Sequence, residues 1–173
     1  MSQRPGLLIA LTLLALPGCA GSRPSPSTED AALARVAAIH GGAGPWAVAG
    51  YRMGIHALQA LGLSAGSFDV EVVHHSPEKV QYACIADGAA AATGASLGKL
   101  NLTLVHSAPA DAIFTTYRNR ATGQRLTLKP AASFATRYLD VPRAHLPAAG
   151  REVLTLTDAE VFEVVDTADT PTP

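Results

Sequence analysis

Helical periodicity begins near residue 28 and covers two successive stretches of the chain. From Thr28 to His40, apolar residues return every three or four positions along one stripe, with acidic residues in the first turn, and this pattern predicts a helix. The same spacing predicts a second helix that begins at Pro45, a residue suited to a first turn, and ends before Gly62. The segment HGGAGP is therefore predicted to be the loop between two helices.

Alternating apolar and polar residues predict strands further along the chain. The alternation covers residues 68–75 and 100–106, and it returns at 113–118 and 125–129 on either side of turn residues, which predicts a hairpin. Residues 152–156 also have the pattern of a strand. The predicted sheet is therefore at least partly antiparallel.

Shorter helices are predicted between and after these strands. One covers residues 84–93 with Gly94 as its C-cap, and residues 130–138 are a further candidate. A capping box is predicted at 157–160, where a threonine and a glutamate lie three residues apart. This order predicts the α+β class, with N-terminal helices packed on a partly antiparallel sheet.

The N-terminus has the features of a cleaved secretory leader. Arg4 provides the positive start, and the apolar run at 7–16 is shorter than a membrane-spanning helix. The sequence LPGC that ends at Cys19 resembles a bacterial lipobox, in which lipid is attached to the cysteine and cleavage occurs in front of it. We therefore expect residues 1–18 to be a signal peptide and Cys19 to be lipidated.

A polar segment follows the lipobox. Residues 19–28 are rich in Ser, Pro and Gly, which predicts a disordered tether before one domain at 29–165 and a frayed tail at 166–173. Ala20, in place of an aspartate, favours sorting to the outer membrane in a cell with two membranes. We therefore expect a domain anchored by lipid at the periplasmic face of that membrane.

Charge excludes one class of partner. The chain has 13 Lys and Arg against 14 Asp and Glu, with no basic cluster, so it has no electrostatic footprint for nucleic acid. Of its two cysteines, lipidation would use Cys19 and leave Cys84 as the only free thiol in an oxidising compartment. Cys84 could then be a buried inert thiol, a metal ligand or a nucleophile.

Glycines and reactive groups lie together in three stretches. Glycines let a ligand approach backbone amides closely, while His, Cys and Asp bind metals or exchange protons. Asp87 lies one helical turn after Cys84 and so on the same helix face. The three stretches are His40–Trp46, Cys84–Gly88 and Thr93–Asn101.

Three blocks of sequence resemble a known family. HGGAGPWAVAGYRMGIHAL, CIADGAAAATGASLGKLNL and LTLTDAEVF, in this order and at these separations, resemble the FmdE-like family, which takes its name from formylmethanofuran dehydrogenase. The resemblance extends from about Leu33 to Phe162. It implies an α+β domain, often a homodimer, with a metal or active site made by a histidine and a cysteine of the first block and a cysteine of the second.

The resemblance carries over unevenly to single residues. His40 matches the leading histidine, whereas Gly42 and Gly44 stand where a second histidine and a cysteine are common, so two candidate ligands are missing. The zinc ribbon found in some relatives is absent. The positions that agree with the family pattern are Pro45, Gly50–Gly54, Cys84, Asp87, Gly88, Gly94, Gly98, Lys99 and Asn101.

Three hypotheses follow for the function. In the first, a tethered domain binds a divalent metal, preferably zinc, through His40 and Cys84 with Asp87 as a candidate third ligand, or it binds a small molecule. In the second, the protein is an enzyme with Cys84 as nucleophile or metal ligand and Asp87 or His40 handling protons. In the third, it is a degenerate envelope interaction module. The candidate contacts to a small molecule are Gly88, Gly94, Lys99 and Asn101.

Formylmethanofuran dehydrogenation itself is excluded. That chemistry needs a molybdenum or tungsten pterin and iron–sulfur centres, for which two cysteines are insufficient.

Overall fold

A computed structural model describes residues 27–107 and 112–168 of the chain. The predicted leader, Cys19 and nearly all of the tether lie outside the described residues. The helices are α1 Thr28–His40, α2 Pro45–Ala60, α3 Val80–Thr93, α4 Ala132–Arg137, α5 Leu146–Val153 and α6 Asp158–Val161, with 3₁₀ turns at Leu97–Lys99 and Arg143–His145. The strands are β1 Val70–Ser76, β2 Leu102–His106, β3 Phe114–Asn119, β4 Arg125–Pro130 and β5 Phe162–Ala168.

The five strands form one mixed sheet in the order β2-β1-β3-β4-β5. β1 and β2 are parallel, whereas the pairs β1–β3, β3–β4 and β4–β5 are antiparallel, and this confirms both the α+β class and the predicted hairpin. Alternate residues of β1 are buried, which gives the sheet one face toward the helices α2 and α3. The capping box of Thr157 and Glu160 is also confirmed.

Helices α2 and α3 approach each other closely because glycines lie at their crossing. A Cβ on Gly88 would stand 1.8 Å from the carbonyl oxygen of Ala47, and a Cβ on Gly50 would stand 2.1 Å from that of Ile85. Both distances are far below van der Waals contact, so only glycine allows this backbone-to-backbone packing. Helix α1 also packs on α3, and the end of α1 therefore lies beside the start of α3.

The prediction of a strand at 152–156 is wrong. The segment begins inside α5 and continues as a turn. Gly150 and Val153 are buried three residues apart, which is a helical spacing, and a Cβ on Gly150 would stand 1.8 Å from the carbonyl oxygen of Ala43. Tertiary packing on the loop after α1 therefore outweighs the short run of alternation.

The predicted tail begins too early. β5 runs from Phe162 to Ala168 and pairs along β4, with Ala168 opposite Arg125, so the strand extends beyond the predicted domain end at residue 165. Pairing with β4 orders residues 166–168, whose sequence DTA does not by itself indicate a strand. Residues 169–173 lie outside the described part of the chain. No helix in the described residues has the length and apolar character needed to cross a membrane.

His74 is completely buried in β1, where both ring nitrogens have partners. Nδ1 lies 2.8 Å from Thr115 Oγ1, and Nε2 lies 3.1 Å from the carbonyl oxygen of Tyr82. Burial is the main cause that lowers the pKa of His74 to about 4. Because this value lies below that of an unfolded histidine, His74 stabilises the fold above pH 6.5, and this stability is lost as the pH falls from 6.5 toward 4.

Acidification is therefore expected to weaken the fold through His74. Between pH 7 and pH 4.5, titration of this residue should remove about 2 to 3 kcal/mol of the free energy of unfolding, measured by urea denaturation. In His74→Gln, which keeps one donor and one acceptor, this part of the pH dependence should disappear. Equal pH dependence in the two proteins would contradict the assignment.

Candidate functional site

A cleft of about 660 Å³ lies where α1 ends and α2 begins. One side is formed by the loop 41–44 and the first residues of α2, and another by α3. The third side is the segment 138–147, which links α4 to α5. The lining residues are His40, Gly41, Gly42, Ala43, Gly44, Pro45, Trp46, Ala47, Val80, Gln81, Cys84, Tyr138, Leu139, Val141, Arg143, Leu146 and Pro147.

Local structure places His40 at the edge of this cleft. It is the last residue of α1, and Gly41 follows with a φ of 81°, a left-handed conformation that glycine adopts readily and that ends the helix. The chain then turns toward Pro45, which begins α2. The HGGAGP loop therefore directs the chain from one helix into the next and leaves the imidazole facing α3.

His40 and Asp87 form a direct side-chain contact. Nδ1 of His40 lies 2.8 Å from Oδ2 of Asp87, between the end of α1 and the middle of α3. A carboxylate on one ring nitrogen fixes the orientation of the imidazole and leaves Nε2 as the nitrogen available for proton exchange. Asp87 itself does not line the cleft.

Cys84 lies on the same face of α3 as Asp87 and does line the cleft. Its side chain is partly buried and forms no disulfide, and Sγ donates to the carbonyl oxygen of Val80 at 2.9 Å. Helix α3 begins at Val80, one turn earlier than predicted, so Cys84 stands in its second turn. The site thus combines a thiol, an imidazole and a carboxylate.

The charge state of His40 follows from these neighbours. Hydrogen bonding with the Cys84 side chain is the largest cause that raises the pKa of His40 to about 9, and Asp87 adds to it, while burial acts in the opposite direction. At neutral pH the ring is therefore an imidazolium. A cation beside a cysteine stabilises the thiolate, which is the nucleophilic form.

The first turn of α2, beside the cleft, has backbone donors without intrahelical acceptors. Gly44 is the N-cap of α2 and has no side chain that could accept from the first amides. The intrahelical hydrogen bonds begin with the N–H of Val48, which donates to the Gly44 carbonyl. Pro45 has no N–H. The amides of Trp46 and Ala47 thus lack intrahelical acceptors, and both residues line the cleft.

Long-range hydrogen bonds hold the segment 138–147 in place. The indole Nε1 of Trp46 donates to the carbonyl oxygen of Tyr138 at 2.8 Å, and Nε2 of Gln81 donates to the same oxygen at 3.2 Å. No motif or spacing in the sequence indicates Gln81, Tyr138 or Arg143 as site residues. These contacts join positions 57 and 92 residues apart, so no local pattern could have revealed them.

Four residues predicted to contact a ligand lie outside the cleft lining. Nζ of Lys99 donates to the carbonyl oxygens of Gly66 and Gly94 at 3.1 and 3.0 Å. Asn101 accepts from the Ser96 N–H at 2.9 Å and donates to the Val70 carbonyl. Gly94 is the left-handed C-cap of α3, and Gly88 serves the α2–α3 crossing. Gly94, Lys99 and Asn101 thus stabilise the loop 94–101, and Gly88 allows the helix crossing.

Three other histidines, His56, His74 and His75, also lie outside the cleft lining. Nδ1 of His56 lies 3.4 Å from Asp158, His74 is buried in the sheet, and His75 stacks on Phe114 from the opposite strand face. Over residues 27–107 and 112–168, no group of three His, Cys, Asp or Glu side chains is placed to hold a metal ion.

A family model matches the part of the chain that forms this cleft. The model described as "FmdE, Molybdenum formylmethanofuran dehydrogenase operon" matches residues 39–163. This range contains the cleft, the His40–Asp87 contact and Cys84, and it covers well over half of the chain. Among curated proteins, none matches this chain.

Proposed function

Since this chain belongs to the FmdE family, we propose that its cleft is a thiol-dependent active site for a small molecule. Cys84 is the nucleophile, His40 transfers protons, and Asp87 orients His40. The observation that carries the proposal is the Nδ1 contact of His40 with Asp87 beside a thiol that opens to the cleft. A nucleophile, a base and a group that orients the base are the elements of covalent catalysis.

Attack on a carbonyl carbon suits these groups. The Cys84 thiolate forms the S–C bond, the electron pair moves to the carbonyl oxygen, and the amides of Trp46 and Ala47 stabilise this oxygen. As the oxyanion collapses, the bond to the leaving group breaks, and His40 gives that group its proton. Water then attacks the thioester, His40 takes a proton from it, and the S–C bond breaks to release the acid and return the Cys84 thiolate beside the protonated His40.

Alkylation of Cys84 tests this proposal. Iodoacetamide should modify the wild-type thiol at pH 6 at least about tenfold faster than it modifies N-acetylcysteine, because an ordinary thiol is almost entirely protonated there. Peptide mass spectrometry locates the label, and Cys84→Ser provides the unlabelled control. A rate at or below that of N-acetylcysteine would refute the nucleophile and favour a non-catalytic interaction module.

Zinc binding is the alternative function. It is favoured by the carboxylate on Nδ1 of His40, because metal-bound histidines commonly have such a partner. It is opposed by the donor set, since His40 and Cys84 supply two ligands and Asp87 is engaged with the ring, whereas catalytic zinc takes three protein ligands. The residues thus do not fit a resident zinc. Stoichiometric zinc in protein purified without chelator, and its loss in Cys84→Ser, would establish the alternative.

The cellular location is a separate proposal: the domain is anchored by lipid on Cys19 at the periplasmic face of the outer membrane. It is supported by the leader sequence, which ends in LPGC at Cys19. In Cys19→Ser, incorporation of labelled palmitate should be lost. A variant that still incorporates the label would contradict the anchor.

The homodimer implied by the family resemblance stays a prediction.

A further inference from the structure

The charged side chains that line the cleft are all cationic. His40 and Arg143 are both lining residues, and the described residues that line the cleft include neither aspartate nor glutamate. The carboxylate of Asp87 is engaged with Nδ1 of His40 outside the lining. A cleft lined by charge of one sign concentrates ligands of the opposite sign.

Arg143 is available to such a ligand. It lies in the 3₁₀ turn before α5, and within the described part of the chain its guanidinium forms neither an ion pair nor a hydrogen bond. Arg137 and Arg151, by contrast, pair with Glu152 and Asp30. Guanidinium groups bind carboxylates and phosphates through paired hydrogen bonds.

The remainder of the lining is mostly apolar. The apolar side chains come from the start of α3 and from the segment 138–147. The volume of the cleft leaves room for a ligand of moderate size. The first residues of α2 form another side of the cleft, and the positive end of the α2 helix dipole adds to the positive potential there. The apolar lining residues are Val80, Leu139, Val141, Leu146 and Pro147.

We infer that the cleft takes a small organic anion with an apolar body, whose carboxylate or phosphate is held by Arg143 while its reactive carbon meets Cys84. This inference rests on the proposed function, because it assigns the substrate class of the same thiol. It assigns Arg143 as the residue that selects charge, and the apolar side chains as the surface that covers the body of the ligand.

Two alkylating agents that differ in charge test the inference. Iodoacetate and iodoacetamide react alike: the thiolate forms an S–C bond, the C–I bond breaks, and iodide leaves. The measured quantity is the ratio of the iodoacetate rate to the iodoacetamide rate for Cys84, relative to the same ratio for N-acetylcysteine. We expect this relative ratio to be about ten in the wild type, because the cationic cleft attracts the carboxylate.

Substitution of Arg143 should remove most of this preference. In Arg143→Gln the relative ratio should fall at least about threefold, whereas in Arg137→Gln, an exposed arginine outside the cleft lining, it should equal that of the wild type. Phenylacetate should also protect Cys84 from iodoacetamide better than the neutral phenylacetamide does. Thermal unfolding of each variant checks that it is folded.

The outcomes separate the two proposals. Rapid reaction with iodoacetamide, together with a relative ratio near one or a ratio unchanged in Arg143→Gln, would overturn the anion site and leave the nucleophile standing. Failure of both reagents to react at pH 6 would overturn the proposed function itself.

Discussion

Replacement of Gly88 by alanine should destabilise the protein by about 3 kcal/mol or more. The new Cβ would stand 1.8 Å from the carbonyl oxygen of Ala47 and 2.7 Å from the backbone nitrogen of Tyr51, so neither neighbour can move without distorting α2. The helices must separate instead. Urea denaturation measures the loss, and the midpoint of thermal unfolding should fall by roughly 10 °C.

Gly98→Ala is the matched control for this effect. Nothing lies within 4 Å of a Cβ built on Gly98, so the same chemical change should alter the free energy of unfolding by no more than about 0.5 kcal/mol. If Gly88→Ala were as stable as Gly98→Ala, the close crossing of α2 and α3 would be wrong. The position of Cys84, one turn before Gly88, depends on this crossing.

Removal of the His40 imidazole should slow alkylation of Cys84 at pH 6 by at least about tenfold. In the proposed mechanism the His40 cation favours the thiolate form of the nucleophile, and an ordinary thiol without such a cation is ionised to well under a per cent at this pH. In His40→Gln the rate should recover as the pH is raised toward 9.5, because ordinary thiols are mostly ionised in that range. The full pH–rate profile with iodoacetamide measures both effects.

His56→Gln is the control for the loss of a histidine. His56 also lies beside an aspartate, but it pairs with Asp158 and lies outside the cleft lining, so its substitution should leave the profile of Cys84 unchanged. In Asp87→Asn the alkylation rate of Cys84 at pH 6 should lie between those of the wild type and His40→Gln. The His40 ring then still has Cys84 as a neighbour but has lost the carboxylate of Asp87. Equal rates at pH 6 in wild type and His40→Gln would exclude activation of Cys84 by the His40 cation.

Local patterns in the sequence predict much of this fold. The helices α1 and α2, the β3–β4 hairpin and the Thr157–Glu160 capping box follow from periodicity and turn chemistry within a few residues. Local pattern does not predict β5, because this strand is stabilised by pairing with β4, more than thirty residues earlier. Residues 152–156 were assigned wrongly because packing of Gly150 on Ala43 decides their structure.

The candidate site was predictable only in part. His40, Cys84 and Asp87 have residue types that indicate chemistry, and helical spacing already joined two of them. The glycine-rich stretch that ends in Lys99 and Asn101 looked similar in composition, yet its polar groups bond to nearby backbone. Only tertiary structure distinguishes a polar group that serves a loop from one that faces a cleft. The position of Arg143 in the cleft lining likewise follows only from the tertiary structure.

The proposed chemistry depends on His40 as a cation held between Cys84 and Asp87, and the titration of His40 tests this most directly. In the wild type, nuclear magnetic resonance of labelled histidine should give His40 a pKa of about 9. In Cys84→Ala, the pKa should fall toward 6.5, because the largest cause of the rise has been removed. A His40 that titrates near 6.5 in both proteins would contradict the account.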